Sequence, residues 1–292
     1  YTSGVWTNQN VYVTLNKATT GTTTYLSTDS SAQAVAETAS ATTINKEGTS
    51  ILKVKTTDGT NTAYSSEYTI KIDKTAPTTV APTASKTTKS ITVTCNQTDG
   101  LSGINASTKQ YAIYKNGAWS AWQTSNTFTK LKQSTSYVVK TKVTDNAGNS
   151  AESSETTVYT SKLAAGTLTL KHTDASGATY TSNTWTKDNV YVTLNNGSAG
   201  TTTYASVSGS AQSVASTTGA TTITTAGTTT LKVTTTDGTN TSTNSYIIKI
   251  DKEAPTNAAP TVNATTNSLT VTNKQIDNLS GIASVQYAIY KG

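Results

Sequence analysis

The segment Trp6-Thr-Asn-Gln-Asn-Val-Tyr-Val-Thr-Leu-Asn16 returns as Trp185-Thr-Lys-Asp-Asn-Val-Tyr-Val-Thr-Leu-Asn195, an interval of 179 residues. Thr22-Thr-Thr-Tyr25 returns at the same interval as Thr201-Thr-Thr-Tyr204. Ile70-Lys-Ile-Asp-Lys74 reappears as Ile248-Lys-Ile-Asp-Lys252, and Asp99-Gly-Leu-Ser-Gly-Ile104 as Asp277-Asn-Leu-Ser-Gly-Ile282. Tyr111-Ala-Ile-Tyr-Lys115 matches Tyr287-Ala-Ile-Tyr-Lys291. Whatever this chain folds into, it must build it twice. The interval is too long for a solenoid unit, where repeats run ~20–50 residues, and suits a pair of sandwich domains per repeat.

The four prolines place the cuts. Pro77 and Pro82, then Pro255 and Pro260, follow the two Ile-Lys-Ile-Asp strands. Proline cannot continue a ladder and fixes φ, so it ends a strand and stiffens a short link. The expected layout is a first module over 1–75, a second over 76–161, the first kind again over 162–253, and the start of the second kind over 254–292. Thr167-Leu-Thr-Leu-Lys171 reads as a strand, but no counterpart stands ahead of Tyr1, so the first module lacks its first strand. The chain is expected to be a window on a longer array.

Strand signals have a period of two. Val11, Val13 and Leu15 point one way, Tyr12 and Thr14 the other; Leu52 and Val54 alternate with lysines, as do Ile70 and Ile72. In the second module Ile91, Val93 and Cys95 share a face, as do Tyr137, Val139 and Val143. Threonine makes up roughly a quarter of the residues, far above ordinary usage, and its β-branched side chain suits a pleated surface. Asp58-Gly59, Asp99-Gly100 and Asn116-Gly117 punctuate the strands as turns. The predicted class is all-β: tandem sandwiches of about seven strands each, as beads on a string.

Composition narrows function. There is one Cys (Cys95), one His (His172), no Met and no Arg, and only 13% of residues are charged. One Cys excludes an internal disulfide framework and multi-cysteine metal sites. One His excludes paired-histidine metal motifs and leaves little for acid–base chemistry near neutrality. The net charge of +6 comes from lysines scattered along the strands, without the clustered basic stripe of a nucleic-acid binder. No apolar run reaches the ~18–20 residues of a spanning helix. The expectation is an extracellular non-enzyme, with no nucleic-acid partner and no membrane insertion in this segment.

The second module resembles a fibronectin type III domain. Ser90-Ile-Thr-Val-Thr94 corresponds to that family's strand B, Tyr111-Ala-Ile-Tyr114 to strand C, and Val138–Val143 to strand F, with Trp119 and Trp122 expected on the strand after C. Leu131, six residues before Tyr137, resembles the family's tyrosine corner, which implies a Tyr137 hydroxyl bonded to backbone upstream. Strand B lacks the family's usual core Trp. Thr144-Asp-Asn-Ala-Gly-Asn149 resembles the F–G turn common in bacterial surface repeats. The first module resembles bacterial Ig-like domains through its Thr-Asp-Gly-Thr-Asn turn and the run Tyr68-Thr-Ile-Lys-Ile-Asp-Lys-Thr-Ala-Pro-Thr78. Together the resemblances imply a stalk or adhesin segment of a large bacterial surface or secreted protein. Its partner is then a protein or glycan ligand, or other copies of itself. The alternative is spacer or carbohydrate-binding modules of a secreted polysaccharide-degrading enzyme.

Few residues invite a site. Asp99 and Asp277 in the Asp-x-Leu-Ser-Gly-Ile motif, and Asp73 and Asp251 at the module junctions, are calcium candidates. Isolated carboxylates more often cap turns, and no cofactor is expected. Cys95 reads as a small strand residue, because Asn273 replaces it in the second copy. Lys53, Lys232 and Asn16 are conceivable partners in an isopeptide crosslink, which requires a buried lysine. Trp6 and Trp185 read as plugs at strand starts, ahead of sugar platforms. Thr228-Thr-Thr230 with Thr234-Thr-Thr236 suggests a threonine ladder, which needs a flat array. His172 reads as a strand residue without a partner.

Overall fold

The computed structural model describes residues 1–290, and the trace divides into two compact units, Tyr1–Ser161 and Lys162–Gly292. Strands dominate; the one helical turn among the described residues is a 3-10 turn at Ala106–Thr108.

The first unit opens with β1 (Trp6–Thr7), β2 (Val11–Val13), β3 (Thr22–Ser27), β4 (Thr42–Ile44), β5 (Gly48–Thr57), β6 (Thr62–Tyr64) and β7 (Tyr68–Ile72). They form one sheet in the order β1-β7-β5-β3, with β6 also on β5, and a second sheet of β2 with β4. Alternation sends Tyr25, Leu52, Ile70 and Ile72 inward from the large sheet, and Val11 and Ile44 inward from the small one. Full burial of each such side chain contributes about 1.5–3 kcal/mol, which is what holds two sheets together.

A second sandwich follows in the same unit: β8 (Thr83–Lys86), β9 (Ile91–Thr94), β10 (Gln110–Lys115), β11 (Ala118–Trp119), β12 (Thr127–Phe128), β13 (Ser136–Thr144), β14 (Ser150–Glu152) and β15 (Thr156–Tyr159). Its sheets run β12-β9-β8 and β11-β10-β13-β14, with β15 also on β13. This division of strands is fibronectin-like. Ile91 and Val93 face Tyr111, Ile113, Tyr137 and Val139 across the core. Only Trp119 of the expected tryptophan pair lies on a strand; Trp122 stands three residues further on, past the end of β11.

The second unit repeats the first architecture with β16 (Thr167–His172), β17 (Trp185–Thr186), β18 (Val190–Asn195), β19 (Thr201–Ser206), β20 (Thr221–Ile223), β21 (Gly227–Thr236) and β22 (Thr241–Ile250). The sheets are β16-β18-β20 and β17-β22-β21-β19. Leu168, Leu170, Val192, Tyr204, Leu231 and Ile250 are among its buried core. Four short strands close the unit: β23 (Thr256–Asn257), β24 (Thr261–Ala264), β25 (Leu269–Thr272) and β26 (Gln275–Ile276), paired as β23 with β26 and β24 with β25.

The repeated Thr-Asp-Gly-Thr-Asn turn shows why its sequence is kept. Asp58 Oδ1 accepts the N–H groups of Thr60 and Asn61 at 2.9 and 2.7 Å, while Gly59 takes a φ of +92° that favours glycine. Asp237 does the same for Thr239 and Asn240 at 2.9 and 2.7 Å. The Asn61 and Thr60 backbone bonds hold the Asp58 carboxyl below its ordinary pKa. A lowered folded-state pKa means the turn's stabilisation is complete above the unfolded value of roughly 4 and is lost as pH falls through the folded value. An NMR titration should therefore show the Asp58 carboxyl protonating below pH ~4, with the Asn61 amide shifting in step.

Candidate metal centre at a module junction

The two sandwiches of the first unit meet where β7 ends. Asp73, directly after β7, is fully buried, and its carboxylate serves both sides. Oδ1 accepts Thr75 N–H at 3.0 Å, turning the chain toward Pro77; Oδ2 accepts the N–H of Ser102, in the second sandwich, at 3.0 Å. Asn149 returns the contact, donating its side-chain amide to the carbonyl oxygens of Asp73 at 2.9 Å and Thr75 at 3.3 Å.

Two more carboxylates converge on this point. Asp99 Oδ1 caps the Asp-Gly-Leu-Ser-Gly loop, accepting Leu101 and Gly103 N–H at 3.1 and 2.7 Å. Asp145 is buried in the turn after β13, where Oδ1 accepts the N–H groups of Ala147, Gly148 and Asn149 at 2.7–2.9 Å. Its Oδ2 accepts the Asn149 side-chain amide at 2.7 Å. One carboxylate oxygen from each of Asp73, Asp99 and Asp145 lies within 4.8 Å of the other two.

Three anions at this spacing repel one another by roughly 3 kcal/mol per pair at an effective dielectric near 20. None of the ion pairs found among the described residues includes any of them. The hydroxyl of Ser102, whose own N–H bonds to Asp73, is buried without a hydrogen-bond partner. An all-oxygen donor set with surplus negative charge and an unused hydroxyl fits a hard cation; with no His or Cys it does not fit zinc. The 4.8 Å spread of the oxygens is what Ca²⁺–O bonds of ~2.4 Å span. Asp73, Asp99 and Asp145 would hold the ion, and the unused Ser102 hydroxyl offers a neutral oxygen on the residue that bonds Asp73.

The second unit carries the same loop. Ser280 N–H donates to Asp251 Oδ2 at 3.0 Å, and Asp277 Oδ1 accepts Leu279 and Gly281 N–H at 3.0 and 2.7 Å. The Ser280 hydroxyl, followed by the Glu253 N–H, holds the Asp251 carboxyl below its ordinary pKa. Sequence reading named Asp73, Asp99, Asp251 and Asp277 but not Asp145. The signal for Asp145 lies in the Thr144-Asp-Asn-Ala-Gly-Asn149 turn, which in the sequence reads as a turn alone.

Tyr137 on β13 and Leu131 are both buried in the second core, and the Tyr137 hydroxyl accepts Lys132 N–H at 2.9 Å. Pro77 and Pro82 are buried and Pro255 and Pro260 exposed; Pro82 O accepts the Thr156 hydroxyl at 2.8 Å, fixing that segment to the second sandwich. Cys95 is half-buried and its thiol donates to Gln97 Oε1. Lys53 pairs with Glu67 at 3.1 Å and Lys232 is exposed, so neither is the buried lysine a crosslink requires. His172 does have a partner, contrary to the sequence reading: Asp188 Oδ2 lies 3.1 Å from its Nδ1. The threonine ladder is interrupted, because Thr229 and Thr235 turn into the interior. Trp6 and Trp185 are half-buried, each under a lysine ammonium at 5.7 Å. Trp119 and Trp122 share the Lys140 ammonium at 4.7 and 5.1 Å, itself paired to Glu152 at 2.9 Å.

The strand pairing and paired cores define a chain of tandem β-sandwich domains of the immunoglobulin and fibronectin type III kind. No protein-family model matches it, and no curated protein does. Solved structures similar to it include the FN1–FN3 domains of chicken CNTN1, 12% identical over 83% of this chain and 95% of that one, with a TM-score of 0.29. A 1.5-MDa bacterial ice-binding adhesin is 15% identical over 84% of this chain and 92% of the other, at a TM-score of 0.35. The Ca²⁺-stabilised adhesin with which an Antarctic bacterium binds ice is 15% identical over 88% and 72%, at 0.28.

Proposed function

We propose that this chain is a non-catalytic segment of a bacterial extracellular repeat protein, a stalk or adhesin shaft, in which successive sandwiches are clamped by calcium at the Asp73–Asp99–Asp145 junction. The observation that carries the reading is that one buried carboxylate, Asp73, bonds into both sandwiches and meets two further carboxylates there. A hinge would keep such a link solvated and free; this one is buried and bonded. Bound calcium would supply positive charge that turns three mutually repelling groups into a tie. The ligand that the shaft presents, protein or glycan, or its assembly with other copies, is a property of the longer protein.

Single-molecule pulling on the chain tests this. With calcium, the two sandwiches of the first unit should unfold at higher force than in chelator, and Asp73→Ala should erase the difference. Identical force traces in calcium and chelator would refute the clamp. Hydrolysis of a polysaccharide by the purified chain would refute the non-catalytic reading in favour of an enzyme.

A further inference from the structure

The surplus of positive charge is not spread evenly over the sandwiches. Residues 1–75 hold six lysines and six carboxylates, and 162–253 hold six and five. Residues 76–161 hold eight lysines and only four carboxylates. Two of those four, Asp99 and Asp145, are engaged at the junction with the first sandwich, and a third, Glu152, pairs with Lys140.

Five of the eight lysines, scattered along the sequence, meet at the other end of this sandwich. Lys86 closes β8 opposite Ile91, the start of β9, and Lys89 lies in the hairpin between them. Phe128, the last residue of β12, also pairs with Ile91, so Lys130 and Lys132 follow at the same end. Between these two, Leu131 N–H donates to Lys89 O at 3.0 Å. Lys115 ends β10, where Tyr114 pairs with Val138 near the start of β13. All five lysines are exposed. None of the ion pairs found among the described residues includes Lys86, Lys115, Lys130 or Lys132. Lys130 takes a φ of +56°, a conformation that costs a lysine more than a glycine or an asparagine. The remaining carboxylate, Glu155, precedes β15, and it is the far end of β15, Tyr159, that pairs with Ser136 beside the lysines.

The fold does not require these charges. In the second copy of the hairpin, Ser268 N–H donates to the Thr265 hydroxyl at 3.0 Å, as Ser90 N–H does to Thr87. Yet Ala264 and Asn267 stand there in place of Lys86 and Lys89.

We propose that this end of the second sandwich binds an anionic polysaccharide, whose sulfate or carboxylate groups pair with Lys86, Lys89, Lys115, Lys130 and Lys132. The loops themselves select that partner. The hairpin reads Thr-Thr-Lys-Ser over 87–90, and the longer loop Thr-Lys-Leu-Lys-Gln-Ser-Thr over 129–135, its one apolar residue buried. Ammonium groups interleaved with hydroxyls and amides suit the acid groups of a sugar chain. These loops carry no aromatic ring to stack on a base and no exposed apolar side chain to enter a bilayer. A lysine's single mobile charge follows acid groups at irregular positions, where an arginine fork demands fixed geometry. The site lies away from the carboxylate junction and is independent of calcium bound there.

The test is the fluorescence anisotropy of labelled dextran sulfate titrated with the full chain in chelator, where calcium cannot bridge the two. Dextran sulfate should bind and uncharged dextran should not. Affinity should fall about 100-fold between 50 and 200 mM salt as counterions are released. Lys86→Gln, Lys89→Gln, Lys130→Gln and Lys132→Gln together should weaken binding by about 30-fold or more. The same loss of charge elsewhere, through Lys17→Gln, Lys46→Gln, Lys187→Gln and Lys232→Gln, should change it by about 2-fold at most. Lys86→Ala with Lys89→Asn, the pair that the second hairpin already carries, should cost about 5–10-fold with no change in melting temperature. Absence of binding, or equal weakening by the two quadruple variants, overturns the proposal. Tighter binding to a DNA duplex or to phosphatidylglycerol vesicles than to dextran sulfate also overturns it, by making nucleic acid or a membrane the partner.

Discussion

Tyr137→Ala is expected to lower the stability of the second sandwich by about 3–5 kcal/mol, because it empties a ring-sized volume between Leu131, Ile113 and Val158 in one core. Tyr137→Phe separates the ring from its hydroxyl. The phenylalanine keeps the packing but leaves Lys132 N–H, held at 2.9 Å in the native protein, without its acceptor. That loss costs about 1–3 kcal/mol. Hydrogen exchange at the Val139 amide, in the middle of β13, reads both values in the intact chain. A Tyr137→Phe change within about 0.5 kcal/mol, the range of ordinary surface substitutions, would show that the hydroxyl does not pin the crossover.

Asp145→Ala is expected to be as damaging, for a different reason. Three backbone N–H groups and the Asn149 amide converge on that carboxylate, and hydrogen bonds to a charged acceptor contribute about 1.5–3 kcal/mol each when buried. Water at the turn recovers part, so the net loss should be about 3 kcal/mol or more. Asp145→Asn separates turn from ion. Its carbonyl oxygen still caps the turn, but its amide faces the Asn149 amide that Oδ2 accepted, so stability in chelator should fall by about 1–3 kcal/mol. The calcium response should disappear. For the native chain, free calcium at 100 times its dissociation constant adds about 2.7 kcal/mol, seen as a higher melting temperature of the first unit. A native chain whose melting ignores calcium would leave Asp145 a turn cap and nothing more.

The sandwiches were legible because their information is local. Val93 and Ile91 alternate with threonine on one strand, and the same two-residue period that puts them inward is printed in the sequence. Tyr137 was legible through its spacing from Leu131. The junction was not, because its three carboxylates come from the end of β7, the loop after β9 and the turn after β13, and nothing along the chain announces that these meet. The His172–Asp188 pair escaped for a related reason: the two residues face each other only after β16 and the loop before β18 are brought together.

The junction also explains the length of the repeat. Asp73 belongs to one kind of sandwich, Asp99 and Asp145 to the other, so each kind carries a fraction of a site that is useless beside a copy of itself. Duplicating one sandwich would place an orphaned acid against a surface with no answering groups. Duplicating the pair carries Asp73, Asp99 and Ser102 over as Asp251, Asp277 and Ser280, with matching Asp73–Ser102 and Asp251–Ser280 bonds of 3.0 Å. Module order is thus written in the chemistry of the joint: Asp73 at the end of one kind of sandwich meets its answering groups on the other.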